Sequence, residues 1–377
     1  MIYTQFKDKI ANCKNVRIEK KLSEEILADV KNLTKAGNIK IVYLEVFKCE
    51  VSDIERTLQK AGYIVQNVLY DENIFVEELE ENSEGIILLG ESLAQTFSGK
   101  KFIIVAENLN LFDLLHKPYH SIIIYEEKVK LIAFDLIASV YGTLMTKLIA
   151  CFDFKLACIC YNKTDDLQIV EEIESIIIEL FSQSYIYYRD EQFFRDLLNA
   201  VINVGLLEGM LANTAVLNGY TMSCKVVQSM AKSKKLLGEY AMLVGWFVVN
   251  TIKSLVNIVE CNLFIPNDIM ADIDFVAQKI NISKADLFKI TDKITATEYL
   301  RLSFVSSEYS KEIERYLDKI YPCCVNAMKN YRRIYYDAGL EVSSSISLNN
   351  LSSGVLRSVT FNPQYSYLKT LRVLGAV

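Results

Sequence analysis

Two histidines, His116 and His120, have the spacing in this chain that most directly suggests a metal site. They are the only histidines among 377 residues. An i, i+4 pair on one helical face is the arrangement of HExxH zinc sites. Here no glutamate follows His116, and Pro118 disfavours helix at the residue before it. We therefore expect ordinary loop histidines, so a histidine-based metal site would need carboxylates or thiolates from elsewhere.

The cysteines offer a second set of potential metal ligands. There are nine of them, and their spacing includes a CxC at Cys158 and Cys160 and an adjacent pair at Cys323 and Cys324. A zinc ribbon needs CxxC pairs, and the sequence contains none. Buried free cysteine behaves as a small hydrophobe, so we interpret all four as packing residues.

The stretch GIILLGESLA (85–94) is the one place where an apparent strand runs through a glycine into a helix. Such a turn can present backbone amides to a phosphate, but dinucleotide sites usually contain more glycine than the single Gly90. Glu91 would repel a pyrophosphate and would stabilise the first turn of a helix. Ser92 is expected to be a helix cap, because the sequence supplies no neighbouring base for a nucleophile. This interpretation favours a structural turn.

The elements around this turn predict two domains. Runs with the character of strands alternate with helical patterns in the first third, and they lie at 39–47, 63–70, 85–90, 101–107 and 121–127. Strands alternating with helices predict a parallel sheet covered by helices. From residue 129 onward the apolar residues recur at helical spacing. We therefore predict an α/β domain over 1–128 and an all-helical domain over 129–377, with a polar loop at 343–353 and a closing helix at 365–377.

Composition limits the classes of function and the compartment. The chain is 51% hydrophobic with a net charge of −6, and no Lys/Arg-rich run is present, so nucleic acid is not an expected partner. The first residues lack the apolar segment of a signal peptide. The apolar segment 241–259 contains Asn250 and Lys253, which favours a buried helix over a membrane span. We expect a cytoplasmic protein with reduced cysteines and no membrane partner.

Several of these segments, in their order, resemble the superfamily of iron-containing alcohol dehydrogenases, dehydroquinate synthases and glycerol dehydrogenases. The likeness is greatest to sn-glycerol-1-phosphate dehydrogenases and extends over nearly the whole chain. GIILLGESLAQ (85–95) stands where the family has its GGGS-x-x-D pyrophosphate loop, and residues 204–222, 235–245 and 362–377 resemble later family segments. The best match is the family's ASGxGD-x-x-x-K helix with the D-W-like turn after it, fitted by Ala138, Ser139, Gly142, Lys147, Ala150, Asp153 and Ala157.

This resemblance implies a fold and a chemistry. The implied fold is dehydroquinate synthase-like, with a Rossmann-like nucleotide-binding domain, an all-α domain and a site between them. The implied reaction transfers a hydride between a nicotinamide and an alcohol carbon. A divalent metal held by one Asp and two His polarises the alcohol oxygen.

The positions that carry this chemistry in the family hold other residues here. The Asp ligand corresponds to Thr143, and the two His ligands correspond to Met222 and Leu237. Hard divalent cations need oxygen or imidazole donors. The pyrophosphate loop retains Gly90 and Ser92, and the Pro-Thr pair at the end of the next strand corresponds to Ala106-Glu107.

Three hypotheses follow from this pattern. In the leading hypothesis the protein is a non-catalytic member of the superfamily, and we expect no cofactor. It would bind or scaffold an active homologue, a peptide or a small ligand, as part of a homo- or hetero-oligomer. In this hypothesis Thr143, Lys147, Met222, Leu237 and Glu239 line a vestigial cleft. The second is an NAD(P)-dependent polyol-phosphate or alcohol oxidoreductase whose zinc or iron is held by Glu208 or Glu239. The third is an enzyme without metal or nicotinamide, in which Lys147 and nearby tyrosines transfer protons.

Overall fold

A computed structural model supplies the coordinates, and the chain divides into two compact units, Met1–Ile132 and Ala133–Val377. The structure describes residues 15–71, 79, 81, 83–97, 99–109, 111–115, 119–130, 134–161, 165–185, 191–212, 217–231, 235–255, 269–291, 310–337, 346–361 and 366–374.

The first unit contains a six-stranded sheet in which every neighbouring pair runs parallel. Its strands are β1 (Asn15–Glu19), β2 (Asn38–Tyr43), β3 (Ile64–Leu69), β4 (Gly85–Leu89), β5 (Gly99–Ala106) and β6 (Tyr119–Tyr125). Its helices are α1 (Leu22–Leu33), α2 (Lys48–Lys60), α3 (Leu93–Thr96), α4 (Phe112–Leu115) and α5 (Glu126–Val129), with a 3-10 turn at Glu45–Phe47. This architecture confirms the predicted parallel α/β unit.

The central strands form because their side chains are apolar on both faces. All five residues of β4, GIILL, are buried, and strands covered on both faces read as continuous hydrophobic runs. One face of the sheet packs in a cluster with the apolar sides of α1 and α2, including Ile26 and Ile54. Burial of this kind contributes about 25 cal/mol for each Å² of apolar surface.

The strand order reverses its winding direction at one point of the sheet. The order is β1-β6-β5-β4-β2-β3, so the chain leaves β2 toward one edge and leaves β4 toward the other. In open parallel sheets, ligands bind at the carboxyl ends of strands where the winding direction reverses. Here that point lies between β2 and β4, whose carboxyl ends lead into Leu44 and Gly90.

The described residues of the second unit form helices joined by turns and irregular segments, with no strand among them, which confirms the all-α prediction. Its helices are α6 (Phe134–Tyr161), α7 (Leu167–Ser182), α8 (Glu191–Glu208), α9 (Thr221–Met230), α10 (Leu237–Leu255), α11 (Ile269–Ile280), α12 (Lys284–Thr291), α13 (Ser310–Asp337), α14 (Leu348–Ser358) and α15 (Tyr367–Leu374), with a 3-10 turn at Val359–Phe361. Across the described part of the chain, only Asp135–Leu156 in α6 is long and apolar enough to cross a membrane, and 72% of its most apolar window is buried inside the protein.

Four local predictions need correction. His120 lies on β6 rather than in a loop, because the strand begins two residues before the apolar run; His116 lies outside the described residues. Helix α6 continues through Asp153 to Tyr161, so no turn follows residue 150. The predicted loop at 343–353 contains the start of α14, where the Ser347 hydroxyl accepts from the Asn350 N–H at 3.2 Å and caps the helix. Both β1 and α1 were missed, since their short apolar runs are broken by charges.

Candidate functional site

Helices α6 and α10 cross at glycines that let their backbones touch. A Cβ added to Gly142 would lie 1.9 Å from the carbonyl oxygen of Gly238, and one added to Gly238 would lie 1.9 Å from the carbonyl oxygen of Ser139. Thr143 and Leu237 directly adjoin these glycines in the chain. The crossing therefore brings together two of the three positions that the resemblance assigns to metal ligands.

Thr143 is engaged within its own helix. Its half-buried hydroxyl donates to the Ser139 carbonyl at 3.0 Å, which is the i−4 bond that serine and threonine commonly form inside helices. The carbonyl of Thr143 in turn accepts a 3.0 Å hydrogen bond from the Thr146 hydroxyl. The hydroxyl and the carbonyl of Thr143 thus have partners within α6.

Met222 lies in the first turn of α9 and packs against an apolar cluster. The buried members of that cluster are Val226, Ile273, Val276, Leu287 and Phe361. A thioether in such surroundings is a packing group. A helix hydroxyl, a thioether and an alkyl chain do not form a donor set that fits a hard divalent cation.

The segment before Met222 is held by one polar contact to α6 and one to α8. The Tyr220 hydroxyl donates to the Asp153 carboxylate, and the Asn218 amide donates to Glu208 Oε1 at 3.3 Å. Glu208 is bound to Lys147 of α6, whose Nζ lies 2.8 Å and 2.7 Å from its two carboxylate oxygens. The Lys147 and Glu208 side chains are 3% and 1% exposed. A fully buried ion pair therefore joins α6 to the end of α8.

Asp153 joins this segment to the C-terminal helix. It also accepts the Tyr367 N–H at 3.0 Å, at the start of α15, where a carboxylate is favoured by the helix dipole. Burial raises its pKa to about 7, although hydrogen bonds from Tyr220 and the Tyr367 amide oppose the rise. Asp153 therefore connects α6 both to the segment before Met222 and to the start of α15.

Glu239 has a structural role at the start of α10. Its Oε1 accepts the Leu236 N–H at 3.0 Å, and its Oε2 lies 3.7 Å from Lys235 Nζ. A glutamate three residues into a helix that bonds back to the preceding N–H is the second half of a capping box. Burial raises its pKa. Both carboxylates considered as replacement metal ligands, Glu208 and Glu239, therefore already have defined partners.

The turn at the winding reversal of the sheet is closed by a carboxylate. Gly90 has φ +131°, and a Cβ there would lie 2.5 Å from Leu44 Cδ1, so the position requires glycine. The Glu91 N–H donates to Glu107 Oε2 at 2.9 Å. Ser92 is exposed and makes no capping hydrogen bond through its side chain, which corrects its assignment as a cap. Glu107 thus accepts the hydrogen bond of the Glu91 N–H, a donor that a bound phosphate would need.

Glu91 and Glu107 form an acidic pair in this turn. Burial raises the pKa of Glu91 to about 8, and the charge of Glu107 adds to the rise while hydrogen bonds from Asn108 oppose it. Burial also raises the pKa of Glu107. Glu91 is therefore largely protonated at pH 7. Occupation of the amide by Glu107, rather than a negative charge on Glu91, is what opposes a pyrophosphate here.

Replacing Glu91 with glutamine is expected to stabilise the protein at high pH. Because folding raises the Glu91 pKa from 4.5 to about 8, the folded state holds a proton that the unfolded state has lost, and stability falls as pH rises through that window. The free energy of unfolding of E91Q should equal that of the wild type near pH 4.5. Near pH 8 it should be larger by about 1–2 kcal/mol, after allowance for solvent screening. Urea unfolding at both pH values measures the difference.

The control for this experiment is Asp53→Asn, whose carboxylate is 69% exposed on α2. It should shift the unfolding free energy by a similar small amount at both pH values. An E91Q advantage that is equal at both pH values would contradict the assigned proton.

Other sequence candidates are not assembled into a metal site. In the parts of the chain that are described, no three His, Cys, Asp or Glu side chains gather as a metal-ligand group. Cys158, Cys323 and Cys324 are buried and form no disulfide, as the packing interpretation predicted; the side chain of Cys160 lies outside the described ones.

Sequence reasoning missed the roles of Glu107, Tyr220 and the partner of Lys147. The sequence did contain a signal for Glu107, because this residue directly follows β5, next to strand β4, which ends at Leu89 just before Gly90. Carboxyl ends of parallel strands meet at one edge of a sheet. Tyr220 and Glu208 carried no such signal, since their partners lie 67 and 61 residues away in sequence.

Comparison with known proteins gives fold neighbours but no sequence relatives. No family model and no curated protein matches the chain. Among solved structures, glycerol dehydrogenase from Schizosaccharomyces pombe is 12% identical with a TM-score of 0.45, covering 89% of this chain and 95% of that one. NADH-dependent butanol dehydrogenase A from Thermotoga maritima is 10% identical with a TM-score of 0.39, covering 92% and 96%.

An archaeal alcohol dehydrogenase from a Red Sea brine pool is 12% identical with a TM-score of 0.42, covering 92% of this chain and 97% of that one. All three of these solved structures bear the names of dehydrogenases.

Proposed function

We propose that this chain is a non-catalytic member of the dehydrogenase-like superfamily that acts by binding or scaffolding. The observation that carries the proposal is the engagement of the ligand positions in internal contacts: the Thr143 hydroxyl bonds to the Ser139 carbonyl, and Met222 packs in an apolar cluster. Side chains that complete helix and core contacts contribute to stability, and these two offer a metal neither a carboxylate nor an imidazole.

The contact between Glu91 and Glu107, at the carboxyl ends of β4 and β5, supports the proposal that no nicotinamide nucleotide binds. The Glu107 carboxylate takes the Glu91 amide at 2.9 Å, and a pyrophosphate would have to displace it while placing its own charge beside an acid. The partner that we propose is an active homologue, a peptide or a small ligand, within a homo- or hetero-oligomer in the cytoplasm.

The direct test combines metal analysis of the purified protein with calorimetric titration of NAD(P)H on the same sample. We expect less than stoichiometric zinc or iron and no binding in the micromolar range. A micromolar dissociation constant, about −8 kcal/mol, or one bound zinc or iron per chain would overturn the proposal in favour of an NAD(P)-dependent oxidoreductase that draws ligands from Glu208 or Glu239.

Restoring the three ligand types is expected to create a zinc site. The variant combines Thr143→Asp, Met222→His and Leu237→His. The crossing of Gly142 with Gly238 brings α6 and α10 together. The segment before Met222 is held by the hydrogen bond of Tyr220 to Asp153 of α6 and by that of Asn218 to Glu208, the partner of Lys147. Affinity for zinc should fall as pH drops below about 6.5, because imidazole must be neutral to bind metal.

The matched control moves one histidine to Met230, which packs against the same apolar cluster two helical turns later in α9. The variant with Thr143→Asp, Met230→His and Leu237→His should not gain the site. A correctly folded restored protein that takes up no zinc at neutral pH would show that these positions do not correspond to metal ligands.

A further inference from the structure

A cleft of about 200 Å³ opens on the surface of the helical unit beside helix α13. The residues that line it are Asn330, Arg333 and Ile334 of α13, Phe193 of α8, and Tyr185, which follows α7. The Tyr185 and Phe193 rings meet edge to face, with their centroids 4.7 Å apart. Clefts that hold a whole small molecule usually enclose about 300–1,000 Å³. This cleft, the α13 cleft, is therefore sized for a single side chain, and its aromatic and aliphatic walls suit an apolar one.

Hydrogen bonds hold the walls of the α13 cleft in place. Arg333 Nη1 donates to the Tyr185 carbonyl at 2.6 Å. Asn330, which is 8% exposed, donates from Nδ2 to the Gln183 carbonyl at 3.1 Å and to the Tyr141 hydroxyl at 3.2 Å. These bonds tie the chain after α7 to α13, so a ligand meets walls that are already ordered. The Asn330 Oδ1 atom accepts no hydrogen bond from the described residues, which leaves it for an N–H of the ligand.

Three cations on α13 form a basic face beside the cleft. Arg332 and Arg333 follow Lys329 by three and four positions, which places all three on one side of the helix, and all three are exposed. Like charges at this spacing repel one another, and none of the three forms an ion pair with an acid among the described residues. The helix dipole acts within the last turn, where α13 has no basic residue. The dipole therefore does not account for the basic face.

The first two acids of α8, the helix that supplies one wall of the cleft, are already engaged. Glu191 lies 2.7 Å from Arg195, and Asp196 accepts the Tyr185 hydroxyl at 3.0 Å. The guanidinium of Arg333 has five N–H donors, and its contacts with the described residues use one of them. The basic face thus keeps its charge for a partner, in a chain whose net charge is −6.

We propose that this site binds an acidic peptide segment of a partner protein, with one apolar side chain in the α13 cleft and the neighbouring carboxylates on the basic face. Arginine and carboxylate pair through two parallel hydrogen bonds, and an anchor in a pocket carries most of the energy of such interfaces. A nucleic acid would bring a charge on every nucleotide against a net charge of −6. The proposal specifies the peptide of the proposed function, but its test uses neither metal nor nucleotide, so it can fail while the lack of catalysis stands.

Selection from a displayed library of short random peptides, with the full chain as bait, gives the first test. We expect the enriched sequences to place one Leu, Ile, Met or Phe between Asp or Glu residues. The same selection against the double variant Lys329→Glu with Arg332→Glu should lose this preference for acids. Enrichment of basic or uncharged sequences by the wild-type chain, or no enrichment above a blank surface, would overturn the proposal.

Calorimetric titration of the most enriched peptide gives the second test. Arg332 makes no hydrogen bond or ion pair with the described residues, so Arg332→Glu leaves the fold intact. It replaces an attraction with a repulsion and should weaken binding about tenfold. Replacing the apolar residue of the peptide with Ser should weaken binding by about tenfold or more, because the buried apolar surface is lost.

The matched control is Lys225→Glu, which reverses an exposed cation on α9 and should change the dissociation constant by less than about twofold. Equal weakening by Arg332→Glu and Lys225→Glu would show a general effect of charge and would overturn the proposal. Single-stranded DNA that binds the wild-type chain as tightly as the peptide does would overturn it as well.

Discussion

Replacing Lys147 with methionine is expected to destabilise the helical unit by about 3–5 kcal/mol. The substitution leaves the Glu208 carboxylate in a fully buried position without the ammonium group that lies 2.7 Å and 2.8 Å from its oxygens. Taking an unpaired charge out of water costs far more than losing an exposed ion pair. Urea unfolding followed by far-UV circular dichroism measures the loss.

The double variant Lys147→Met with Glu208→Leu separates charge from packing. Two apolar side chains of similar size should recover most of the lost stability, because neither charge then remains buried. Lys225→Met, at an exposed position of α9, is the control and should change stability by less than about 0.5 kcal/mol. A single Lys147→Met variant as stable as wild type would mean that the buried pair does not form.

Replacing Gly142 with alanine is expected to cost about 3 kcal/mol, at the upper end for overpacking. The new methyl group would lie 1.9 Å from the Gly238 carbonyl oxygen, and backbone cannot rotate away as a side chain does. Helix propensity acts in the opposite direction, since alanine inside a helix is favoured over glycine by about 1 kcal/mol. The thermal unfolding midpoint measures the net effect.

Gly354→Ala in α14 is the matched control. A Cβ there would lie 3.0 Å from Val227 Cγ2 and 3.3 Å from the Met230 sulfur, which are side-chain atoms that can adjust. The variant should be close to neutral. If Gly142→Ala were equally neutral, helices α6 and α10 would have to be farther apart than the structure places them.

The fold could be predicted from the sequence because its signals are local. The five apolar residues of β4 predict a strand, and the helical spacing of apolar residues in α2 predicts a helix. The alternation of strands with helices along the chain then predicts parallel pairing. Strand β1 and helix α1 were not predicted, because charged residues interrupt their apolar positions. Their conformation is fixed by tertiary contacts, such as the pairing of Arg17 with the buried Asp29 at 2.8 Å.

The candidate site could be predicted only in part. Motif order indicated Thr143 and Leu237, and the glycines beside them meet at one helix crossing. The partner of Lys147 could not be found in this way, because no local rule couples residues on α6 and α8. Likewise, the pKa of Glu91 depends on burial and on Glu107, and both follow from the packing of two strand ends.

The pairing of β1 with β6 bears on the folding kinetics of the first unit. It joins residues more than one hundred positions apart, such as Asn15 and Ser121, whereas β2 and β3 close a much shorter loop. Contacts between distant residues form slowly, because the entropy of the long loop is lost before they contribute. We therefore expect the β1 edge, with the Arg17–Asp29–Ser121 contacts that hold it, to dock late, so that weakening these contacts would speed unfolding more than it slows folding.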